Sequence, residues 1–572
     1  MDINGVLEGF SVALQPINIL FVFIGVLLGM IVGVLPGLGP APTIALMLPL
    51  TYVLPPEAAI VMLAGIYYGA YYGGTITSVL MKLPGEAASV VTVYDGHQMA
   101  LKGRAGPALG ISAIGSFIGG TVAIIGLFFF SPVIAEFAVK LGPPEYAMLA
   151  LAGLVMVTVL GQAKPSKNLI IAAIGLLIAT VGIDMVSGVS RFTFGSPELL
   201  RGIDFVAVSM GLFGLGDVLY DLEHEVRAAR VQGKIGRVLP TKKDMKDSAG
   251  AITRGSILGF FLGLLPGGGG VVSSLASYAV EKKVAKNPEE FGKGAIQGVA
   301  GPETANNAGS TSSFLPLLSL GIPSNVVLAL LYGALLIQGI TPGPSLVNDH
   351  PGVFWGVLAS MILGNLMLLV LSLPMVGMFV NLVRVRIGVL ATVIVMITMV
   401  GVYSVSNSIF DMWVMLGFGV IGYAMRKTGF DPGPLALALV LGPLLESSFK
   451  QSLLMSGGSV GIFVTRPVSL IFVLILVGLV VFQLVARRRS RAERKYYAIT
   501  RAVRRGSEIP DATGNLSTVP GRRMLLRFGR RTTPLGGGQP DAPAPALEDD
   551  DAGSGDVDNI TQPTNTKTRG EQ

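Results

Sequence analysis

The sequence predicts an all-α polytopic membrane protein made of two inverted repeats with re-entrant hairpins and broken helices. Three observations support this fold class: an apolar composition, an internal repeat, and a reversal of charge between matched loops. Of the 572 residues, 51% are hydrophobic and 13% are charged, whereas soluble domains carry roughly 25% charged residues. The first cation is Lys82, and no Lys or Arg occurs between Gly294 and Val383. Apolar stretches of this length belong in a bilayer.

The composition also excludes several classes of function. The net charge of +7 comes from a few loops and the tail, as membrane topology requires, so it does not indicate nucleic-acid binding. The chain has no Cys and only three His, and it contains no zinc-protease motif and no phosphate-binding loop. The N-terminus lacks the basic segment of a signal peptide, so Ile19–Leu35 is predicted to be a retained span.

Apolar runs recur along the chain, and several are shorter than the roughly 20 residues needed to cross the hydrocarbon. These short runs are candidates for half-helices or re-entrant hairpins, because irregular backbone survives at membrane depth only where protein or a wet cavity surrounds it. The runs cover residues 19–35, 41–54, 58–81, 105–130, 146–160, 169–186, 203–219, 255–265, 271–280, 311–341, 352–382, 388–403, 409–425, 434–445 and 467–486.

Changes in composition divide the chain. Residues 221–254 are polar and contain eight Lys or Arg, so we expect a cytoplasmic linker there, between a first transmembrane repeat over 1–220 and a second over 255–486. Residues 487–572 begin with an Arg-rich stretch, continue rich in Ala, Pro and Gly, and include an acidic run. Such a tail cannot bury enough apolar surface to fold alone, so it is predicted to be disordered.

The two halves share an ordered series of glycines and prolines. Gly33-Val-Leu-Pro-Gly-Leu-Gly39 matches Gly263-Leu-Leu-Pro-Gly-Gly-Gly269, and Gly74-Thr-Ile-Thr-Ser78 resembles Gly309-Ser-Thr-Ser-Ser313. Basic residues reverse between matched connectors: residues 50–57 have none, whereas their counterpart holds four Lys. Because cations favour the cytoplasmic side, the repeats are predicted to be inverted, with the N-terminus outside and the tail in the cytoplasm.

Each repeat has a Gly-Pro break inside an apolar segment, Pro36–Pro40 and Pro266–Gly270. We interpret these breaks as hairpin tips near the midplane, where a helix N-terminus offers an anion site. The alternative is that the glycines only allow tight helix packing. The predicted substrate-binding residues at the tips are Gly37, Gly39, Gly267, Gly268 and Gly269.

A polar stretch over residues 301–313 lies between apolar runs, and residues 71–78 form its hydroxyl-rich counterpart. Amides and hydroxyls suit Na⁺ and a carboxylate, and an ionisable group in a membrane is a functional candidate. The alternative is an interfacial loop whose Asn and Ser cap helices. The candidates for substrate binding are Thr75, Thr77, Ser78, Asn306, Asn307, Ser310 and Ser312. The candidates for ion binding are Glu303, Thr304, Asn306 and Asn307.

Two further features leave alternatives open. The stretches Leu83–Glu86 and Gly321–Asn325 are either second hairpin tips or helix stops. Asp184, Arg191 and Glu198 suggest an ion pair at the membrane surface, with partner docking as the second interpretation.

Several motifs resemble the large permease of the tripartite tricarboxylate transporters, the TctA family. They are Phe291–Ala308, which contains Pro-Glu-Thr-Ala-Asn-Asn-Ala, Leu320–Ser324, Gly263–Gly267 and Arg191–Gly195. The resemblance covers about residues 20–486 and implies a secondary transporter for citrate-like tricarboxylates or other organic acids. It implies a small TctB-like transmembrane subunit and a TctC-like extracytoplasmic solute-binding protein as partners. A further likeness to TRAP-type large subunits implies an elevator movement.

The resemblance therefore points to a non-enzymatic transport subunit in the cell inner membrane, with no cofactor beyond a coupling cation, Na⁺ or alternatively H⁺. A stand-alone permease or channel for organic anions is the alternative. An intramembrane enzyme is disfavoured, because the sequence has no Ser/Lys, His/Glu or paired-Asp arrangement at a plausible spacing.

Overall fold

The computed structural model describes residues 3–35, 39–161, 163–184, 186–223, 235–382, 387–481 and 483, together with 509–510 and 516–517. The chain divides into two compact units, residues 1–485 and 486–572. Almost all of the described part of the first unit is helical. Its described strands are β1 (Gly182–Ile183) and β2 (Ser190–Arg191), which pair antiparallel. In the second unit, β3 (Ile509–Pro510) pairs antiparallel with β4 (Leu516–Ser517), and the rest of the predicted disordered tail lies outside the described residues.

The helices of the first half precede the predicted linker. They are α1 (Ile3–Ala13), α2 (Pro16–Val34), α3 (Pro40–Thr51), α4 (Pro56–Met81), α5 (Val90–Leu101), α6 (Ala105–Val139), α7 (Pro143–Leu160), α8 (Pro165–Ala179), α9 (Phe205–Ser209) and α10 (Gly216–Glu223). A π-helical stretch, Met210–Leu215, joins α9 to α10 without a break.

The second half contains the remaining described helices. They are α11 (Lys242–Gly263), α12 (Gly269–Val284), α13 (Gln297–Ser312), α14 (Val326–Ile337), α15 (Leu346–Asp349), α16 (Pro351–Leu382), α17 (Ile387–Ser406), α18 (Ile409–Lys427), α19 (Gly433–Met455), α20 (Ile462–Thr465) and α21 (Pro467–Val481). A π-helical stretch, Pro316–Leu320, follows α13.

The structure confirms an all-α polytopic membrane protein. Within the described ranges, six helices are long and apolar enough to cross a bilayer. They are Pro16–Val34, Ala105–Val139, Pro143–Leu160, Phe205–Glu223, Pro351–Met375 and Ile409–Lys427. Breaks between helices occur at both Gly-Pro segments, and the helices that follow them, α3 and α12, have 12 and 16 residues. Both are shorter than a full span.

Helix starts follow local chemistry. Many helices begin with Pro in the first turn, where its missing N–H costs nothing. Helix α11 instead begins with a capping box, in which the Thr241 hydroxyl accepts from Asp244 N–H at 3.1 Å and the Asp244 carboxylate accepts from Thr241 N–H at 3.0 Å. This cap makes the last part of the predicted linker helical. Residues 224–234 of the linker lie outside the described residues.

The same glycine-mediated packing occurs once in each half. Three glycines of α2, spaced by four residues, face carbonyls of α4, and a Cβ on any of them would lie 2.1–2.5 Å from a carbonyl oxygen. Three glycines of α11 face α13 in the same way, with distances of 2.1–2.6 Å. We call these six residues the glycine ladder. They are Gly25, Gly29, Gly33, Gly255, Gly259 and Gly263.

Candidate functional site

The centre of the site is the side chain of Glu303 on α13. Every residue of α13 from Gly298 to Ser312 is buried, and Glu303 itself is 1% exposed. Its carboxylate accepts hydrogen bonds from the hydroxyls of Thr75 on α4 at 2.6 Å, of Thr92 on α5, and of Ser112 on α6 at 3.3 Å. Three helices of the first half therefore supply hydroxyls to one carboxylate of the second half.

Within the described ranges, no positive charge balances this carboxylate. Of the residues that the structure describes, no Lys, Arg or His forms an ion pair with Glu303. An isolated ionised carboxylate is very costly to bury, and hydroxyl donors alone recover only part of that cost. The arrangement is therefore chemically suited to bind a proton or a small cation.

Asn307 lies on the side of α13 that faces α6. Its amide nitrogen donates to Ser116 Oγ at 2.7 Å and to the Glu303 carbonyl oxygen at 3.2 Å. A cavity of about 10 Å³ lies beside it, close to the smallest volume that holds one water molecule. The polar residues that line this cavity are Tyr72, Ser116, Asn307, Asn365 and Ser372.

A second carboxyl group, that of Glu86, lies near the other amide of α13. Glu86 is 8% exposed and caps a 3-10 turn at Ala87–Ser89 by accepting from Ala88 N–H at 2.8 Å. Its other oxygen, Oε1, lies 3.5 Å from the amide nitrogen of Asn306. Asn306 is fully buried, and its oxygen Oδ1 has no hydrogen-bond partner.

The second hairpin tip reaches the same region. Gly267 has a φ of 77°, in the left-handed region that favours glycine, and its N–H donates to the Ser324 carbonyl at 2.6 Å. The next helix, α12, begins at Gly269 without a side-chain cap. A Cβ on Gly270 would lie 2.2 Å from Asn306 Oδ1. The first turn of α12 therefore lies directly against α13.

Asn325 completes this side of the site. Its side-chain oxygen accepts from Leu328 N–H at 3.0 Å and so caps α14, and its amide nitrogen donates to the Tyr67 hydroxyl at 2.9 Å. Tyr71 lies beside Tyr67 on α4, with the two hydroxyls 3.5 Å apart. The stretch Gly321–Asn325 is thus a helix break that contacts the hairpin tip.

Comparison with known proteins identifies the family. The model of the tripartite tricarboxylate transporter TctA family matches residues 19–437. The chain belongs to the TctA family. The match includes both hairpin breaks, the whole of α13 and all the residues around Glu303 and Glu86 that are described above.

Two curated relatives from Agrobacterium vitis are similar to this TctA-family chain. One, described as an uncharacterized 52.8 kDa protein in the TAR-I ttuC' 3' region, is 44% identical over 488 residues, which is 85% of this chain and 97% of the relative. The other, an uncharacterized protein in the TAR-II ttuC' 3' region, is 48% identical over 211 residues, 37% of this chain and 87% of the relative. No solved structure matches the chain.

The predicted site residues of this TctA-family chain fall into two groups. Thr75 and Asn307 contact Glu303. The tip glycines Gly267, Gly268 and Gly269 lie at the start of α12, where the following residue, Gly270, is the one that contacts Asn306. The others donate to carbonyls of their own helix: Thr77 and Ser78 to Gly74, Thr304 to Ala300, Ser310 to Asn307 and Ser312 to Gly309. Ser78 also lies 2.9 Å from the Ser89 hydroxyl, in the turn that Glu86 caps. Gly37 lies outside the described residues, and Gly39 has open space where a Cβ would stand.

Sequence reasoning missed three residues of the site as ligands: Glu86, Thr92 and Ser112. Glu86 carried a signal, since it is an acidic residue directly after a Pro-Gly break and matches Asn325 in the repeat. Thr92 and Ser112 carried none, because each is one hydroxyl among many on a helix and only the packing of α5 and α6 against α13 brings them to Glu303.

Proposed function

We propose that this chain is the large transmembrane permease subunit of a binding-protein-dependent, cation-coupled importer of tricarboxylates or related organic acids. The observation that carries the proposal is the Glu303 carboxylate, which is buried, surrounded by hydroxyl donors and unpaired with any cation of the described residues. A group in this state exchanges a proton or a cation as part of its function.

Energetics favour a coupling cation. Moving a trianion inward against an interior-negative potential of 100 mV costs about 7 kcal/mol, at roughly 2.3 kcal/mol per charge. Co-transported Na⁺ or H⁺ cancels this cost. We assign the cation to the region of Glu303 and Asn307, where the carboxylate, the hydroxyls and the polar cavity supply oxygen atoms.

The substrate carboxylate is assigned to the second hairpin tip. The first N–H groups of α12 have no carbonyl partner within the helix and carry its positive dipole end. Gly270, in this first turn, lies against Asn306. In transporters, the N-termini of paired broken helices hold the anionic substrate, and carbonyls of the unwound backbone hold the coupling ion beside it.

The proposal includes the partners and the topology. A small TctB-like subunit and a TctC-like solute-binding protein complete the system, with the N-terminus outside the inner membrane and the tail in the cytoplasm. The binding protein delivers the organic acid to the outer face, and the hairpin-bearing domains move as an elevator against a scaffold.

The test is uptake of labelled citrate into proteoliposomes that hold this chain, the small subunit and the binding protein. Glu303→Gln keeps the shape and removes the charge, and Glu289→Gln makes the same change at an exposed position. We expect Glu303→Gln to raise the cation concentration for half-maximal uptake at least about tenfold, because loss of an interaction with a charged group costs roughly 1.5–3 kcal/mol. Glu289→Gln should behave like the wild type. An unchanged cation dependence in Glu303→Gln would contradict the proposal. Full uptake without binding protein or gradient would favour the stand-alone permease or channel.

A further inference from the structure

We infer that Asn306 is an amide switch that couples protonation of Glu86 to the binding of a carboxylate at the N-terminus of α12. The inference rests on the proposed function, because the ligand is the organic acid assigned to that tip. It adds a coupling group, Glu86, and a mechanism by which one side chain links the two events.

The geometry places the Asn306 side chain between the two partners. Its amide nitrogen lies 3.5 Å from Glu86 Oε1. Its oxygen points the other way, to the first turn of α12, where it has no partner and would lie 2.2 Å from a Cβ on Gly270. A primary amide has a donor end and an acceptor end, so the end that faces Glu86 decides which end faces the helix.

The ionised state of Glu86 disfavours an anion at the tip. An ionised carboxylate only accepts hydrogen bonds, so the Asn306 amide nitrogen must face it, as observed. The Asn306 oxygen then faces α12 and presents partial negative charge where the substrate carboxylate would lie.

The protonated state reverses the amide. A carboxylic acid has an O–H that donates to Asn306 Oδ1, and rotation by 180° about the broad, two-fold terminal torsion of Asn brings this about. The amide nitrogen then faces Gly270 and adds a donor to the N–H groups at the start of α12. Proton uptake by Glu86 therefore completes the carboxylate site.

The groups around Glu86 favour its uptake of a proton. The negative charge of Glu303 on α13 acts on Glu86, Tyr67 and Tyr71 on α4 are the titratable groups from that helix, and Ser274 of α12 contacts the adjoining turn at the Ala88 carbonyl. None of the ion pairs among the described residues includes Glu86. A neighbouring like charge without a balancing cation favours the uptake of a proton.

Linkage makes the coupling reciprocal. If protonation strengthens carboxylate binding, bound carboxylate must favour protonation by the same factor. The affinity for the substrate should therefore fall as pH rises, and substrate binding should draw a proton onto the protein.

The test measures citrate binding to the purified full chain by calorimetry at pH 6 and pH 8. In Glu86→Gln, the new amide nitrogen can donate to Asn306 Oδ1 as the carboxylic acid does. Citrate itself ionises in this range, and its ionisation contributes equally to all variants. We therefore expect the affinity of the wild type to fall about tenfold more between the two pH values than that of Glu86→Gln.

Asn306→Ala provides the second arm, since it keeps Glu86 and removes the switch. Its citrate affinity should be weak and no more dependent on pH than that of Glu86→Gln. Its proton uptake on binding, measured in weakly buffered solution with a pH indicator, should fall below that of the wild type. If the citrate affinity of Glu86→Gln kept the full pH dependence of the wild type, the switch would be overturned and the carboxylate site would remain. No citrate binding to the wild type at either pH would overturn the site and the switch together.

Discussion

The helix pairs α2–α4 and α11–α13 share their packing and differ in their chemistry. Glycines at four-residue spacing bring each pair into backbone contact. The residues at matched positions toward the centre of the site, however, are different. When the halves are matched through residues 74–78 and 309–313, Tyr68 corresponds to Glu303 and Tyr71 to Asn306. Backbone approach is thus common to both halves, whereas the Glu303 carboxylate and the Asn306 and Asn307 amides have no counterpart on α4.

The caps that follow these helices extend the comparison. Glu86 and Asn325 occupy matched positions after a helix break, and each accepts a backbone N–H at the start of the next turn. The remaining atoms of each cap reach the opposite half, Glu86 to Asn306 and Asn325 to Tyr67. The site therefore needs both halves, although its ionisable centre lies on one helix.

The largest expected effect is on the shared packing. Gly29→Val and Gly259→Val each place a side chain within about 2.5 Å of a carbonyl oxygen of the facing helix. Overpacking of this kind costs about 1–3 kcal/mol or more, and backbone cannot move aside as a side chain can. We expect both variants to lose most of the folded protein, measured by membrane level and thermal unfolding in detergent. Gly417→Val, where a Cβ meets nothing within 4 Å, is the control. Tolerance in one half only would mean that the packing is not equivalent.

The next effect separates the chemistry of the halves. Thr75→Val removes a first-half hydroxyl from Glu303, whereas Ser310→Ala removes a second-half hydroxyl that donates to its own helix at Asn307. Loss of a buried hydrogen bond costs roughly 1–3 kcal/mol, so we expect Thr75→Val to raise the cation concentration for half-maximal uptake about tenfold. Ser310→Ala should stay near the wild type. Equal effects would show that the hydroxyls of the two halves are not distinguished by their contacts.

A labelling experiment tests the orientation of the halves. The chain has no Cys, so each introduced thiol reports alone. Val53, after α3, is 73% exposed, and Lys283, near the end of α12, is also exposed. Inversion predicts that Val53→Cys reacts with an impermeant reagent from outside and Lys283→Cys only from inside. Reaction of both from one face would make the repeats parallel.

Much of the fold was predictable, because apolar length, Pro positions and the order of glycines are local signals. The Gly-Pro breaks, the polar stretch over 301–313 and the acidic Glu303 among apolar segments follow from such patterns, whereas the burial of this stretch as a helix was not predicted. The Asp95 side chain shows what does not follow from them. Nothing in its local sequence marks it, yet it is fully buried and accepts from Gly292, Gly294 and Ala295 N–H at 2.7–2.8 Å.

The reason is physical. A carboxylate that binds three backbone N–H groups nearly two hundred residues away depends on the packing of α5 against the loop before α13, and no local spacing encodes it. The same holds for Thr92 and Ser112, and for the ion cluster of the β1–β2 loop. There, Arg191 lies 3.9 Å from Asp184, as the predicted ion pair requires, but it also pairs with Glu446 of α19, and Glu198 accepts from Ser196 instead.

The smallest expected effect concerns this ion cluster, which joins the β1–β2 loop of the first half to α19 of the second. Asp184 of the first half accepts from the Lys450 ammonium of the second, and also from Val186 N–H and the Ser187 hydroxyl. The hydrogen bond from Lys450 is the main reason that the pKa of Asp184 lies well below its usual range. The ionised carboxylate therefore stabilises the fold above its unfolded pKa of about 3.9, and this contribution is lost as pH falls through the lower folded-state pKa.

Asp184→Asn should accordingly lower the unfolding temperature slightly, and by the same amount at pH 7 and pH 5. The difference from the wild type should narrow at pH values below about 4, where the wild-type carboxylate also begins to lose its charge. Salt should reduce it, because pairs near the surface are screened. Thermal unfolding in detergent at several pH values measures this directly. If the difference in unfolding temperature grew as pH fell, the charge of Asp184 would destabilise the fold. This cluster would then not hold the halves together.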